Sequence, residues 1–451
     1  MLALPRRLGR ALAIAPTVAL FAAAGVSPAF AQATAQIPLQ FDFLPPGARS
    51  VGMGSAFIAA ADDATAAFTN PAGLARLSSR EFSAELRFKQ LKSPFLAAGR
   101  ISGNITGVGL DTIPTPVYGE DVDNHFGPAF LSLLWPVGSK ASVTGYLHEV
   151  ATIENTFFSQ GVFERATFLG ATDDRTREAS VGGTRKVRIR NYGGAVAYKV
   201  SERFSVGGGV SVYQFRLDAD FANFGIDGDF AGPPNRNRLT ATATQRGSAW
   251  MPSFNAGALF DLTKAVKIGG AFRKGPGFDF TQTDRVPSIG LDLTRTGTFK
   301  VPDVYGLGFE WRITEPLRVL VDYDRIQYAQ LKVDFVNIQA LASKRSQQLV
   351  LESGNEFHTG VEYLIPTTKV PIPIALRAGY WYDPDHAVRY EATLANDEVD
   401  VLFTATLPGG SATSHYTFGA TFVPTGWFEI NTAADLSSRT KYVTFSVVIR
   451  K

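Results

Sequence analysis

Segments in which apolar and polar residues alternate recur along most of the chain, and they limit the fold more than any other feature. In the segment 440–450, alternate positions are apolar on one side and mostly polar on the other: Val443, Phe445, Val447 and Ile449 against Thr444, Ser446, Val448 and Arg450. This period of two predicts a β-strand with one apolar face. We identify fourteen such segments: 81–89, 124–137, 140–152, 185–200, 202–217, 248–262, 265–281, 302–313, 316–331, 355–365, 372–384, 413–423, 426–437 and 440–450.

The connections between these segments alternate in length. Short ones, such as "PVGSK", "LTKA" and "PTGW", are followed by long polar stretches that we interpret as loops: 90–123, 153–184, 218–247, 282–300, 332–354 and 385–412. A soluble sandwich does not require connections that alternate between short and long, whereas a membrane barrel has short turns on one side and long loops on the other. Closing the sheet also removes unpaired edges that lipid cannot satisfy. The sequence therefore predicts an all-β membrane protein, an antiparallel transmembrane β-barrel of about 14 strands, whose charged inner faces line a polar lumen.

The start of the chain predicts export. Arg6, Arg7 and Arg10 precede a short apolar run, and a small-residue pattern ends at Ala31, which is typical of a secretory signal peptide covering residues 1–31. These three arginines equal the formal net charge of +3, so the remaining chain is formally neutral. A neutral chain lacks the basic face of a nucleic-acid-binding protein. With no cysteine and five scattered histidines, the sequence indicates no metal site and no cofactor.

Residues 32–80 lie outside the strand pattern and contain "DDATAAFTNPAGLARL" at 62–77. Alanine dominates, which predicts a helical turn or two over about 56–68. Asn-Pro-Ala-Gly predicts a turn, with Pro71 at the first position of another short helix. A barrel of this size has a lumen wide enough for such a piece. We therefore divide the chain into a signal peptide (1–31), a lumenal hatch or plug (32–80) and the barrel (81–451).

The segment "GARSVGMGSAFIAAADDATAAFTNPAGLARL" resembles the N-terminal hatch of the FadL/TodX family of outer-membrane transporters, most sharply in "NPAGLA" at 70–75. "VPDVYGLGFEWRITEPLRVLVDYDRIQYAQ", "IALRAGYWYDPD" and "HYTFGATFVPTGWFEINTAAD" are similar to later strands of that family, and the resemblance is weaker over about 150–250. Some related families have a similar N-terminal hatch sequence but serve in secretion machinery.

The resemblance implies a fourteen-stranded monomeric barrel that takes up long-chain fatty acids or aromatic hydrocarbons passively. It implies capture in an apolar groove among the outer loops, and lateral release through a gap near a kinked third strand. The hatch motif near that kink corresponds to Asn70, Pro71 and Ala72. Gly145 lies inside the third predicted strand, where a glycine can mark a bulge, and we expect the kink there.

Two sets of residues are candidates for substrate binding. In "RKVRIR", Lys186, Arg188 and Arg190 share one face, which we expect to face the lumen or lie near the outer rim, since charges facing lipid are costly. Arginine can hold a carboxylate headgroup in a forked contact, and Arg377 and Arg273 are further lumen candidates. The alternatives are a ladder paired with lumenal acids, or contact with lipopolysaccharide phosphates.

The second set lies in a predicted outer loop and is apolar: Phe221, Phe224, Ile226 and Phe230. Another predicted loop adds Phe157, Phe158, Phe163 and Phe168. Grouped apolar residues in a wet loop indicate a landing surface for a hydrophobic ligand or a partner contact. The alternative is a loop packed on itself.

The leading hypothesis is a channel of the outer membrane of a Gram-negative cell, in contact with membrane lipid and lipopolysaccharide, and without catalytic residues. Its ligand is a long-chain fatty acid or another hydrophobic small molecule, and aromatic hydrocarbon is the alternative. A structural or secretion-partner barrel and an open porin are further alternatives. A lipid hydrolase would need a nucleophile beside a histidine, for which Ser353 and His358 are the available pair.

Overall fold

A computed structural model describes residues 44–168, 171–178, 180–332, 348–366, 372–392 and 398–451. The predicted signal peptide and the first residues of the predicted hatch lie outside this range. The described part contains twenty strands: β1 (Glu81–Gly99), β2 (Pro116–Val137), β3 (Ala141–Ser159), β4 (Phe163–Phe168), β5 (Ala171–Arg177), β6 (Ser180–Lys199), β7 (Phe204–Ile226), β8 (Pro234–Asp261), β9 (Val266–Arg273), β10 (Gly277–Val286), β11 (Leu291–Lys300), β12 (Val304–Arg312), β13 (Leu317–Ile326), β14 (Leu349–Val350), β15 (Gly354–Ile365), β16 (Ile374–Asp383), β17 (Arg389–Tyr390), β18 (Thr413–Thr425), β19 (Phe428–Leu436) and β20 (Thr440–Arg450).

Fourteen of these strands close an antiparallel barrel, in the order β1, β2, β3, β6, β7, β8, β9, β12, β13, β15, β16, β18, β19, β20 and back to β1. Each of the fourteen predicted segments overlaps one of them, so the predicted fold class and strand number are confirmed. The closure is visible where β1 pairs with β20, from Glu81 opposite Arg450 to Leu91 opposite Thr440. No helix in the described residues has the length and hydropathy needed to cross a membrane.

The two ends of the barrel differ. At the turn end, short connections join β2 to β3, β6 to β7 and β12 to β13, and Arg80 and Lys451 exchange backbone hydrogen bonds of 3.1 and 2.9 Å. At the loop end, a loop at 100–115, the β4–β5 hairpin, helix α3 (Glu398–Thr406) and the β14–β17 pair form a cap. Leu402 of this cap packs against Leu96 of β1 and Val162.

Strands near the loop end are longer than the sequence pattern indicated. In β7, Val210 and Val212 point outward, but from Tyr213 to Phe221 the apolar residues point inward and the polar ones outward. Such a strand keeps its period of two, while its apolar face changes side where the wall leaves the lipid. The interpretation of 218–247 as a loop was therefore wrong over most of its length, because β7 and β8 continue through it, and β3 and β6 extend into the two ends of 153–184.

The inward apolar faces of these extensions form a large cluster, which we call the loop-half core. At its centre the ring of Phe215 stacks on those of Phe278 and Phe299, with centroids 4.8 and 5.0 Å apart. The cap contributes Leu349, Tyr390 and Phe403 to the same cluster. The prediction of a polar lumen was thus wrong for the loop half, because the outward faces carry the charges there.

The turn half of the barrel is filled by the described part of the hatch, residues 44–80. It contains helix α1 (Ala48–Gly52), helix α2 (Ala66–Thr69) and a 3-10 helix (Pro71–Arg76). Pro71 begins the 3-10 helix, as predicted, while the predicted helix over 56–68 is helical only at its end. From Leu44 to Ala75 nearly every residue is buried, so the hatch owes its position to the wall around it.

Candidate transport path: hatch, seam and outer groove

The barrel wall approaches the hatch so closely that only glycine fits at many contacts. A β-carbon at Gly379 would lie 2.2 Å from the backbone nitrogen of Gly54, and one at Gly360 would lie 2.3 Å from the Met53 carbonyl oxygen. We call these contacting wall residues the glycine belt: Gly207, Gly257, Gly269, Gly306, Gly308, Gly360, Gly379 and Gly419. The belt spans seven strands, so the wall is shaped to seat this one segment.

Asn70 joins the hatch to β8. Its side-chain amide donates to the carbonyl oxygens of Ile58, at 2.8 Å, and Ala258, at 3.3 Å. Its side-chain oxygen accepts from the backbone nitrogen of Ala72, at 3.2 Å, and so caps the 3-10 helix. Asn70 is completely buried, and the Pro71 carbonyl carbon would lie 2.4 Å from a β-carbon at Gly207. The motif residues 70–72 therefore lie at the contact between hatch and wall.

Carboxylates on the wall hold backbone amides of the hatch. Asp322 accepts from the nitrogens of Phe57 and Ile58, at 2.6 and 2.7 Å. Glu85 accepts from Gly47 at 2.6 Å, and Glu81 accepts from Ala64 at 2.8 Å. Charge-assisted hydrogen bonds of this kind are stronger than neutral ones. They satisfy amides of an irregular segment that regular secondary structure does not pair.

His358 also serves the hatch. Its Nδ1 lies 2.8 Å from the Gly54 carbonyl oxygen, while the hydroxyl of Ser353 donates to Gln327 at 3.2 Å. The structure does not bring Ser353 and His358 together as a nucleophile and its base, so the hydrolase hypothesis has no support from these residues.

An ion network crosses from the hatch to the wall near the turn end. Arg49 of the hatch contacts Asp62 at 2.6 Å, and Arg318 of β13 contacts both Asp62, at 3.0 Å, and Glu362, at 2.7 Å. Burial alone would raise the pKa of Asp62, but Arg49 and Arg318 outweigh it and hold that pKa well below its usual range. Arg377 belongs to the same network, since its Nε lies 2.6 Å from Glu362. Arg377 thus shares its carboxylate partner, Glu362, with Arg49 of the hatch.

The wall has a seam between β2 and β3. Their ladder ends at Phe130 opposite His148, although both strands continue for many residues. Beyond this point β3 has a register shift at Val150, and side chains bridge the strands, such as His125 with Glu149 at 2.9 Å. Gly145 was the wrong position for the kink: it pairs regularly with Leu133 and Gly194, and the register shift of β3 comes five residues later, at Val150.

The hatch contacts the wall where this seam begins. The ring of Phe68 lies 4.4 Å from the imidazole of His148 and 6.5 Å from the ring of Tyr146. Neither ring nitrogen of His148 has a hydrogen-bond partner among the described residues. A cavity of about 40 Å³ lies beside the seam, lined by Leu44, Val150 and other residues of the hatch and wall. Hatch and seam are thus in direct contact.

An outer groove of about 930 Å³ lies at the loop end, between the extensions of β1, β2, β3, β6, β7 and β8. The structure brings together two predicted ligand residues, Phe221 and Phe224, with Phe95, Phe157 and Phe158 in its lining. Phe221 and Phe224 belong to β7 and not to a loop, since the strand continues to Ile226. Ile226 ends that strand without lining the groove, and Phe230 packs on Phe163 of the cap with centroids 6.1 Å apart.

The basic residues of β6 do not face the lumen, which was one of their two predicted placements. Lys186, Arg188 and Arg190 point away from the lumen, on the same side as Val196 and Tyr198. Arg185 points inward instead: it is 1% exposed, and its guanidinium lies 5.5 Å from the centre of the Phe221 ring. Sequence reasoning missed Arg185, although its inward neighbours Val187 and Ile189 indicated a buried face.

These features agree with a comparison against known families. A family model described as outer membrane protein transport protein (OMPP1/FadL/TodX) matches residues 46–400. The chain belongs to this FadL/TodX family. The family consists of outer-membrane transport channels for hydrophobic compounds and is not a class of enzymes. No curated protein matches the sequence.

Solved structures show the same fold at low sequence identity. A Pseudomonas aeruginosa FadL homologue aligns with 92% of this chain and 98% of its own, at 13% identity and a TM-score of 0.57. The Ralstonia pickettii toluene transporter TbuX aligns over 91% and 99%, at 14% identity and a TM-score of 0.56. The P. putida toluene transporter TodX aligns over 91% and 99%, at 14% identity and a TM-score of 0.55.

Proposed function

We propose that this channel takes up long-chain fatty acids passively, with the loop end outside the cell and the turn end in the periplasm. A cleaved signal peptide at 1–31 would deliver the chain, residues 32–80 would serve as the hatch of the barrel (81–451), and the closed barrel would act as a monomer. The single observation that carries the proposal is the contact between hatch and seam at Phe68 and His148. A ligand moving inside the barrel would meet a movable plug and a weak point of the wall together.

Capture would begin in the outer groove. Its phenylalanines supply apolar surface to an acyl chain, and burial of such surface is the main driving force for a hydrophobic ligand. Phe157 and Phe221 belong both to the groove lining and to the loop-half core. The groove and the interior thus share a wall, across which a ligand would pass after a small displacement of side chains.

Arg185 is our candidate for the fatty-acid headgroup. It lies among the inward residues that surround Phe221, deep enough for a charge-assisted contact to be strengthened by the low-dielectric surroundings. This reassigns the headgroup role predicted for Lys186, Arg188, Arg190 and Arg377, whose side chains face outward or belong to the hatch network.

Release would occur sideways through the seam. Side chains replace the backbone ladder there, so separating β2 from β3 beyond Phe130 and His148 breaks side-chain contacts and no backbone ladder. Movement of Phe68 with the hatch would uncover His148 and the end of the ladder. Asn70, which fixes the hatch beside this point, is the proposed gating residue.

Uptake of aromatic hydrocarbons is the second candidate. Two of the similar structures are toluene transporters by name, and the Phe215, Phe278 and Phe299 stack would suit a flat ring. In this case the ligand carries no charge, so Arg185 would have no headgroup to bind.

The test is uptake of labelled oleate and labelled toluene by cells that lack their own carriers, comparing empty vector, wild type and Asn70→Ala at equal surface levels. Restored oleate uptake that Asn70→Ala alters would support the proposal. Restored toluene uptake alone would replace it with the second candidate. If the folded barrel restores neither, uptake of these classes is wrong, and copurification of a protein partner would then favour a structural or secretion role.

A further inference from the structure

The outward face of β6, β7 and β8 changes from apolar to charged over three successive rows of cross-strand neighbours, which we call rungs. The first rung is Arg190, Gln214 and Trp250, below which lie Val212 and Val210. The second rung is Arg188, Arg216 and Ser248, and the third is Lys186, Asp218 and Arg246. Exposed tryptophan is typical of the level where lipid tails meet headgroups. The second rung lies two residues further along, about 6.7 Å above it.

Most charges on this face have a partner. Lys186 contacts Glu154 at 2.5 Å, and Arg190 lies 3.6 Å from Glu149. Arg246 contacts both Asp218 and Asp220, at 3.2 and 2.6 Å. These pairs neutralise the first and third rungs, so the basic residues there already have acidic partners in the barrel wall.

The second rung is different, because Arg188 and Arg216 stand directly opposite each other in the ladder. Both are exposed, and among the described residues neither guanidinium has an acidic partner. Opposite residues of neighbouring strands have β-carbons about 5 Å apart, and like charges at such positions repel each other. An anion held between the two guanidinium groups would convert this repulsion into two charge-assisted contacts.

We propose that Arg188 and Arg216 bind a phosphate of lipopolysaccharide in the outer leaflet. The height of the pair, one rung above Trp250, is that of a lipid headgroup, and the aromatic pair of Tyr192 and Trp250 (centroids 5.5 Å apart) lies just below. The guanidinium fork matches the geometry of a phosphate group better than an ammonium does. The proposal uses the orientation given under the proposed function, with the loop end outside, but it does not require transport.

The test measures lipopolysaccharide bound to the purified barrel after detergent exchange and size exclusion, by native mass spectrometry. Wild type is compared with Arg188→Gln, Arg216→Gln and the double variant. The control is Arg246→Gln, which removes the same charge from the same face where Asp218 and Asp220 already neutralise it. We expect the double variant to retain lipopolysaccharide about fivefold less, and the control to retain it like wild type.

Three further arms identify the source of the phosphate. Dephosphorylated lipopolysaccharide should bind wild type as weakly as the intact form binds the double variant. Phosphatidylglycerol should be retained less than lipopolysaccharide, and millimolar inorganic phosphate should not displace the glycolipid. Equal retention by wild type and the double variant overturns the proposal, as does equal loss in Arg246→Gln. Full displacement by inorganic phosphate, or equal retention of phosphatidylglycerol, overturns the assignment to lipopolysaccharide. None of these readouts depends on uptake, so failure of the proposed transport function is a separate result.

Discussion

The side-chain oxygen of Asn70 lies 1.9 Å from the place where a β-carbon at Gly257 would stand. A side chain at position 257 would therefore collide with Asn70. Asn70 uses this closeness to reach the Ala258 carbonyl oxygen on the same strand. A single methyl group at position 257 is thus the smallest change that tests how the hatch is held.

We expect Gly257→Ala to loosen the hatch. The methyl group must displace Asn70, which leaves its buried hydrogen bonds to Ile58 and Ala258 unmade, at a cost of about 1–3 kcal/mol. The chain has no cysteine, so Ser78→Cys provides a unique site for a spin label on the exposed end of the hatch. The mobile fraction of that label should rise.

Gly270→Ala is the matched control, because the nearest atom to a β-carbon there is 3.9 Å away. It should leave the label as immobile as in the parent protein. A label that responds equally to both substitutions would mean that strand propensity, and not contact with Asn70, decides the outcome.

The ion network predicts a definite pH dependence. The pKa of Asp62 is lowered in the folded protein, so its stabilising contribution is complete above the unfolded value of about 4 and is lost as the pH falls through the folded value. We expect Asp62→Asn to increase label mobility at pH 7. The difference in the free energy of unfolding between Asp62→Asn and wild type should stay constant between pH 8 and pH 5. Asp292→Asn, which breaks an exposed pair with Arg285, should have no effect on the hatch. A difference that shrinks steadily over this range would contradict the lowered pKa.

Much of the barrel was predictable because lipid imposes a simple rule on each strand. β20, with Val443 and Phe445 outward and Thr444 and Ser446 inward, shows the pattern in its plain form. Pro71 was equally clear, since proline suits the first position of a short helix. These signals are local, and each can be read from a few consecutive residues.

The missed features depend on where a strand stands relative to the membrane or to a distant segment. Arg185 was not predicted and Phe221 was assigned to a loop, because β6 and β7 exchange the apolar side as they leave the lipid, which local alternation alone does not reveal. The chain has 43 glycines, but the role of those such as Gly379 and Gly360 is known only once Gly54 and Met53 are seen to lie against them.

Arg185→Gln separates the two candidate substrate classes. If Arg185 binds a carboxylate, its loss removes a charge-assisted contact of about 1.5 kcal/mol or more, and oleate uptake at low concentration should fall about tenfold. Toluene has no charge, so its uptake should change little. Lys186→Gln changes the neighbouring outward residue and should alter neither substrate. Equal loss of both substrates in Arg185→Gln, at normal surface levels, would indicate a packing defect instead of a lost headgroup contact.

The seam predicts that linking β2 to β3 blocks release. His125 and Glu149 face each other across the seam at 2.9 Å, so cysteines at these positions can be joined by a short reversible cross-linker in a chain that has no other cysteine. We expect cross-linking to slow uptake severalfold, because the wall can no longer separate there. Reduction of the linker should restore uptake.

The control joins cysteines at Leu133 and Gly145, which are ladder partners in the closed part of the same two strands. That link adds nothing to a wall already held by backbone hydrogen bonds, so uptake should not change. Normal uptake with the seam fully cross-linked would exclude lateral release between β2 and β3 and direct attention to a path along the hatch to the turn end.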